Sequence, residues 1–401
     1  KVKNVKSFGA KIVLHGDNYD EACEHALKLA KEKAMSFVHP YDDPDVIAGQ
    51  GTIAMEILRQ FHNDIHAIFV PVGGGGLISG IASYVKYVRP EIKIIGVEPE
   101  DAPSMYKAIE SNKRVTLKQV GIFADGVAVK QVGKETFKIA KELVDEILLV
   151  NTDEICAAIK DIFDNTRSIT EPAGALSVAG LKKYIQREKI ENKVLVAIES
   201  GANINFDRLR HVAERAEVGE QREALLAVSI PEEPGSFLKF CKTLGKRSIT
   251  EFNYRFNSKQ EAHVFVGVEL NSGEAERASI IQHLEEQDYG VINMTDNELA
   301  KIHIRYMVGG HAVSVENEVL YRFVFPERPG ALLNFLSKLG KRWNISLFHY
   351  RNQGAAYGRV LVGAQVPLDE KNEFCQFMKS LDYPFWDETK NPAYKIFAGS
   401  D

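Results

Sequence analysis

The sequence predicts an α/β region with a mostly parallel sheet, followed by two smaller α+β modules of ferredoxin-like order. Three observations predict it. Short apolar runs alternate with stretches of helical spacing through the first half. Four successive glycines stand where one strand hands over to a helix, and the second half of the chain repeats itself.

The glycines come first. His66-Ala67-Ile68-Phe69-Val70-Pro71-Val72 is an apolar, β-branched run that reads as a buried strand, and Leu77 to Val85 carries helical spacing. Between them lie Gly73, Gly74, Gly75 and Gly76. In a helix each would cost roughly 1 kcal/mol relative to alanine, so their backbone freedom answers a need. A bound phosphate is one such need. Residues without Cβ let consecutive N–H groups turn toward one anion, and the following helix N-terminus adds partial positive charge. A tight turn with no ligand is the alternative. The G-x-G-x-x-G pattern fails because Ile78 and Ser79 are not glycine, and the P-loop pattern fails because no Lys-Ser or Lys-Thr follows.

At 401 residues the chain exceeds one ordinary core, and two or three domains are expected. With 45% apolar and 26% charged residues it reads as globular, and a net charge of -5 gives no electrostatic ground for nucleic acid or an anionic membrane. No apolar run approaches the roughly 20 residues of a membrane span. Cys23, Cys156, Cys241 and Cys375 are scattered singly, which suits a reducing cytosol, and the 11 histidines show no metal-ligand spacing. Lys1 to Lys6 look like the end of an amphipathic helix, so the chain is expected to be a fragment.

In order along the chain, Gly9 to Leu14 reads as a strand and Asp17 to Lys33 as a helix. His39-Pro40-Tyr41-Asp42-Asp43-Pro44 is a turn-rich loop. A helix then begins at Asp45, and Gly49 and Gly51 within it suggest close backbone packing. Ile92 to Val97 is a second buried strand, and Asn151 with Glu154 forms a capping-box start for another helix. A last strand, Lys193 to Ile198, ends in Glu199-Ser200-Gly201-Ala202-Asn203. Ligands of parallel sheets gather at the carboxyl ends of strands, which would bring Ser200 and the glycines to one crevice. A serine there could hydrogen-bond a ring nitrogen without fixing its charge, or could simply shape the turn.

Residues 217–223 are polar and charged and read as a domain junction. Beyond them, Ile230-Pro231-Glu232-Glu233-Pro234-Gly235 recurs as Phe325-Pro326-Glu327-Arg328-Pro329-Gly330. Leu244-Gly245-Lys246-Arg247 recurs as Leu339-Gly340-Lys341-Arg342, and Tyr254-Arg255 as Tyr350-Arg351. Each copy opens with an alternating strand, Leu226/Val228/Ile230 or Tyr321/Phe323/Phe325. A helix follows, with Phe237, Phe240, Cys241 and Leu244 on its apolar face, matched by Leu332, Phe335, Leu336 and Leu339. A valine-rich strand through Gly267 or Gly363 and a second helix ending near Asp288-Tyr289 or Asp382-Tyr383 complete the split βαβ order. Neither copy holds an acid, base and nucleophile set. A binding role or a device for oligomerisation fits them better than catalysis.

Together these stretches resemble threonine deaminase. His39 to Pro44 with Ala48-Gly49-Gln50-Gly51-Thr52, Gly73 to Leu77, Glu171-Pro172-Ala173-Gly174-Ala175 and Ser200 to Asn203 are similar to that fold-type II pyridoxal-phosphate (PLP) family. Residues 219–225 and 305–310 look like its long biosynthetic form, which carries two ACT-like regulatory domains. The resemblance covers essentially the whole chain. It implies a tryptophan-synthase-β-like PLP domain over 1–218, lacking its N-terminal part, ACT-like domains over 224–296 and 319–391, and a linker over 297–318.

By the same resemblance, Gly73, Gly74, Gly75, Gly76 and Leu77 would cradle the PLP phosphate, Ser200 would pair with the pyridine nitrogen, and Glu171 would lie near the ring. The implied reaction converts L-threonine to 2-oxobutanoate and ammonia, the entry step to isoleucine synthesis. Isoleucine would inhibit and valine antagonise it through the ACT-like domains of a cytoplasmic homotetramer. The loops around Gly235 and Gly330 are where an effector is expected.

One departure stands out. The family's Schiff-base lysine, in a Ser-Phe-Lys-Leu-Arg-Gly-Ala stretch, and its Ser-x-Gly-Asn-His segment do not occur here, and Ser7-Phe8-Gly9-Ala10-Lys11 is only an echo. The chain as given is therefore expected to be inactive, with no catalytic residue named. A degradative serine or threonine dehydratase is the rival enzyme, although such enzymes generally lack two ACT-like copies. A non-catalytic amino-acid sensor is the rival outside catalysis.

Overall fold

The computed structural model describes residues 2–16, 19–121, 123–256, 261–302, 304–307, 312, 315–326, 331–339, 342–351, 357–381 and 383–397. The chain divides into two compact units, Lys1–Gly219 and Glu220–Asp401.

The first unit runs α1 (Val2–Ser7), α2 (Tyr19–Glu32), α3 (Pro44–Gln60), β1 (Ala67–Pro71), α4 (Gly76–Val88), β2 (Lys93–Pro99), α5 (Ser104–Glu110), α6 (Lys134–Leu143), β3 (Glu146–Val150), α7 (Thr152–Thr166), α8 (Pro172–Glu188), β4 (Leu195–Ala197) and α9 (Phe206–Gly219). Its four strands pair in the order β3-β2-β1-β4, all parallel. Every residue of β1 is buried, as a strand covered on both faces must be. The period of two decides which side each residue serves. Ala67 and Phe69 pack with Leu176, Tyr184 and the α7 residues Ile155 and Ile159. Ile68 and Val70 pack with Ile78, Ile81 and Val85 of α4.

Local chemistry sets several of these boundaries. Asn151 and Glu154 form the expected capping box, with Asn151 Oδ1 accepting from Glu154 N at 2.9 Å and Glu154 Oε2 from Asn151 N at 2.7 Å. Helices α3 and α4 meet backbone to backbone, since a Cβ on Gly51 would lie 3.1 Å from the Gly80 carbonyl oxygen and one on Gly80 only 2.3 Å from that of Ile47. Gly49, by contrast, has open space beside it.

Two expectations need correction. Residues 9–14 form no strand, and Val13 and Leu14 are exposed at 54% and 78%. A β-branched run cannot hold strand geometry without a ladder, and no described residue pairs with this one. Conversely, Glu146–Val150 forms β3, a strand that the sequence reading does not single out. It follows Leu143-Val144-Asp145 directly, so its apolar run is masked by the end of α6.

The second unit contains β5 (Glu223–Pro231), α10 (Ser236–Leu244), β6 (Ile249–Arg255), β7 (Glu261–Glu269), α11 (Gly273–Glu285), β8 (Gly290–Asn293), α12 (Glu298–Ile302), β9 (Glu318–Pro326), α13 (Ala331–Leu339), β10 (Asn344–Arg351), β11 (Tyr357–Gln365), α14 (Lys371–Ser380), β12 (Phe385–Asp387) and α15 (Pro392–Phe397). Each repeat has the split βαβ order. The two join edge to edge in one eight-stranded sheet, β12-β9-β11-β10-β6-β7-β5-β8, through antiparallel β10 and β6, where Phe348 faces Tyr254 and Tyr350 faces Phe252. Phe237, Phe240, Cys241 and Leu244 of α10 and Leu332, Phe335 and Leu336 of α13 are buried in a core common to both repeats. Helix α12 and a short turn at Ile304–Tyr306 lie within the stretch expected as linker, and Ala300 packs against Leu225 and Phe265. Gly330, Val308 to Gly310, Gly340 to Lys341 and Asp382 lie outside the described residues.

Candidate functional site

The loop His39 to Pro44 does more than turn. His39 Nδ1 accepts from the backbone N–H of Asp42 at 2.8 Å and of Tyr41 at 3.3 Å, which closes the loop on itself. Asp43 is the N-cap of α3, its Oδ1 accepting from Asp45 N at 2.9 Å and Val46 N at 3.3 Å, with Pro44 in the first helical turn where its missing N–H costs nothing. Asp42 reaches a different helix. Its carboxylate accepts from Lys134 N at 2.7 Å, Glu135 N at 2.8 Å and Thr136 N at 3.4 Å, capping α6 from 92 residues away. Burial would raise the Asp42 pKa, but these three N–H donations, helped by His39, hold it below the ordinary carboxylate value.

That helix end in turn grips the glycine loop. Gly133 N donates to the Gly74 carbonyl at 3.2 Å and Thr136 Oγ1 donates to it at 2.7 Å, while Ser79 Oγ donates to Thr136 O at 3.1 Å. Gly75 is the N-cap of α4 at φ +94°, a left-handed conformation that glycine adopts without strain. A Cβ on Gly74 would lie 2.3 Å from the Tyr41 ring, so no side chain fits between the loop and that ring.

At the other side, β4 hands over to Ser200, and Thr170 and Glu171 hold the backbone beyond it. Glu171 N donates to Gly201 O at 3.0 Å and Thr170 Oγ1 at 2.7 Å. Glu171 is the N-cap of α8, with Pro172 at its first position. Ser177 Oγ donates to Ile198 O at 2.7 Å, fixing the strand end against the same helix.

These parts enclose a cavity of about 360 Å³, within the roughly 300–1,000 Å³ typical of small-molecule sites. Gly73, Gly74, Gly75, Gly76, Leu77 and Ser200 all line it, as do Glu171, Tyr41 and Tyr19. The loop Asp125 to Val129 also lines it, and the sequence reading does not single it out because Asp-Gly-Val-Ala-Val carries no motif of its own. Among the described lining residues there is no lysine, arginine or histidine, so an anion there would rely on backbone N–H groups and the α4 N-terminus. A Cβ-free cradle and a hydroxyl at a strand end in the same cavity suit a phosphate-bearing aromatic cofactor. Among the described residues, no group of three or more His, Cys, Asp and Glu could hold a metal, and no helix is long and apolar enough to cross a membrane.

Comparison with known proteins identifies the family. Residues 1–201 match the pyridoxal-phosphate dependent enzyme family, and residues 214–304 and 309–398 match the C-terminal regulatory domain of threonine dehydratase. The biosynthetic L-threonine dehydratase IlvA of Burkholderia multivorans is 57% identical over 97% of this chain and 76% of that protein. The Escherichia coli IlvA is 51% identical over 99% of this chain and 77% of that protein. Among solved structures, the processed form of threonine deaminase isoform 2 from Solanum lycopersicum superposes with a TM-score of 0.53 at 48% identity, over 54% of this chain and 60% of that one. Two family matches that together span nearly the whole chain, and relatives at this identity, establish that it belongs to the biosynthetic threonine dehydratases, PLP-dependent ammonia-lyases with a C-terminal regulatory region.

Proposed function

We propose that the protein serves the dehydration and deamination of L-threonine to 2-oxobutanoate and ammonia, the first step of isoleucine biosynthesis. The observation that carries this reading is the single cavity lined by Gly73 to Leu77 at one strand end and Ser200 at another. Gly73, Gly74, Gly75, Gly76 and Leu77 hold the PLP phosphate through backbone N–H groups, and Ser200 hydrogen-bonds the pyridine nitrogen. When bound, PLP supplies an electron-accepting ring that takes up charge as the amino acid loses its α-proton. Ser200, a neutral partner, orients that ring without imposing a charge on its nitrogen. Glu171, at the α8 N-cap, lies beside it.

Among the described residues, the cavity lining includes no lysine. A PLP lyase needs one to hold the cofactor covalently and to move the α-proton, so the chain as given binds PLP but does not turn threonine over. The catalytic domain occupies 1–218 and the ACT-like domains 224–296 and 319–391, with 297–318 between them. Isoleucine and valine bind the ACT-like domains with opposite preference for two conformers, in a cytoplasmic homotetramer. The loop at Gly235, where α10 begins at φ +94°, is the described candidate for effector contact.

The test is one preparation assayed three ways. PLP should bind reversibly, 2-oxobutanoate should not form, and isoleucine should bind stoichiometrically to the second unit. Sustained 2-oxobutanoate production would refute the inactivity. PLP bound equally well by Gly75→Val would refute the cavity assignment. A chain that binds isoleucine but no PLP would favour the sensor reading.

A further inference from the structure

Resting on the PLP reading of the cavity, we propose that Asp42 is a positioning residue for the cofactor phosphate, acting through the N-terminus of α6 on the Gly74 carbonyl. It is not among the described residues that line the cavity. Its carboxylate instead binds three consecutive N–H groups, Lys134, Glu135 and Thr136, that open α6. Those are among the donors a helix start leaves without intrahelical partners, so their capping decides whether the first turn is ordered. The ordered turn places Gly133 N and Thr136 Oγ1 on one oxygen, that of Gly74, at 3.2 and 2.7 Å.

Peptide geometry carries the effect inward. In a trans peptide the C=O and N–H point in opposite directions, and no cis peptide occurs among the described residues. Fixing the Gly74 carbonyl on α6 therefore turns the Gly75 N–H away from α6. Gly75, at φ +94°, has no side chain to hold it in that orientation. Without the two donors the Gly74–Gly75 peptide could rotate, and the loop would have to be ordered by the phosphate at the expense of affinity.

A competing electrostatic effect has the opposite sign. Asp42 is an anion near the loop, and removing it would expose the positive end of α6 and so favour a phosphate. The direction of change therefore separates the two. Positioning makes binding weaker in the variant, and field effects alone make it tighter.

The experiment is equilibrium dialysis of PLP against the full chain and four variants, with thermal midpoints measured in parallel. Asp42→Ala and Thr136→Val should each weaken PLP binding by about tenfold, with Asp42→Asn intermediate because one acceptor oxygen remains. Asp43→Ala is the control. It removes a cap of the same kind from α3 and should lower the midpoint while leaving PLP affinity unchanged. Unchanged or tighter binding by Asp42→Ala would overturn the proposal, as would an equal loss in Asp43→Ala. If Asp42→Ala does not fold, Thr136→Val decides, since it removes the Gly74 contact and leaves the Asp42 cap in place. If the unaltered chain binds no PLP, the cavity reading fails, which is distinguishable from binding that is insensitive to Asp42.

Discussion

Arg255, the last residue of β6 in the first repeat, donates to Glu318, the first residue of β9 in the second, with Nη2 3.2 Å from Oε2. The Glu318 side chain has no exposed surface and that of Arg255 is 10% exposed. Ser346 Oγ and Tyr394 OH donate to the same carboxylate. The first repeat has the matching arrangement at Glu223, which accepts from Thr250 Oγ1 and from Arg305 Nη2 at 3.3 Å. Each repeat thus buries a carboxylate at the start of its first strand and satisfies it with a hydroxyl and a guanidinium. For the second repeat the guanidinium comes from the first, which ties the two together.

The consequence is measurable. Arg255→Met would leave Glu318 buried without its counter-charge, a situation that typically costs about 3–5 kcal/mol. Urea unfolding of the chain, followed by a probe in the second unit such as Trp343 fluorescence, should show a loss of that order. A loss below about 1 kcal/mol, the range of exposed pairs, would mean that the pair contributes little.

Gly74 offers a sharper test of the glycine loop than its neighbours. A Cβ there would meet three ring atoms of Tyr41 at 2.3–2.4 Å, and the ring belongs to a loop that His39 Nδ1 closes on the Asp42 N–H and that the Asp42 carboxylate anchors on α6. Gly74→Ala should therefore destabilise the first unit by about 1–3 kcal/mol through overpacking and abolish measurable PLP binding. Tyr41→Ala combined with Gly74→Ala should restore stability in part. Failure of the double variant to recover any would show that the clash lies elsewhere.

Asp42 should make the first unit acid-sensitive. Its folded pKa is depressed below the ordinary 3.8 by three N–H donors that outweigh burial. The unfolded chain then takes up the proton at a higher pH than the folded one. Stability contributed by this group is fully present above the ordinary value and is lost as pH falls through the depressed one. Denaturation midpoints measured from pH 5 down to pH 3 should fall more steeply for the unaltered chain than for Asp42→Asn. Parallel slopes would contradict the assignment.

What the sequence made legible follows its periodicities. The buried parallel strands β1, β2 and β4 announced themselves as continuous apolar runs, and the repeats as alternating strands followed by the Pro-Glu-x-Pro-Gly pattern, because each is a local signal. The His39 to Pro44 loop was legible only as a turn. The partners of Asp42 lie 92 to 94 residues further on, and nothing in the spacing of His-Pro-Tyr-Asp-Asp-Pro indicates which of two aspartates caps the adjacent helix and which a distant one. Tyr41 was unreadable for the same reason, since its role is to lie against glycines more than 30 residues away. The run at residues 9–14 shows the reverse error. Its composition favours a strand, but strand formation depends on a neighbour that a single segment cannot specify.

The repeat also extends further than the sequence reading carried it. After the last strand of each copy, a threonine hydroxyl accepts from the backbone N–H of the first strand: Leu225 N to Thr295 Oγ1 at 3.1 Å, and Leu320 N to Thr389 Oγ1 at 3.0 Å. Each threonine N–H in turn donates to the side chain two residues back, Asn293 Oδ1 at 3.0 Å or Asp387 Oδ1 at 2.9 Å. A short helix follows in both copies and covers the second face of the sheet, α12 through Ala300 over Leu225 and Phe265, α15 through Tyr394 over Leu320 and Leu347. The contacts match but the burial does not. Thr295 is 3% exposed, whereas Thr389 is half-buried. Replacing a hydroxyl by a methyl costs most where water cannot reach the stranded N–H, about 1–3 kcal/mol when it is fully buried. Thr295→Val should therefore destabilise the second unit by about 1–3 kcal/mol and Thr389→Val by clearly less, read from the two variants' urea midpoints. Equal losses would mean that the helix, and not the hydroxyl, anchors this edge of each repeat.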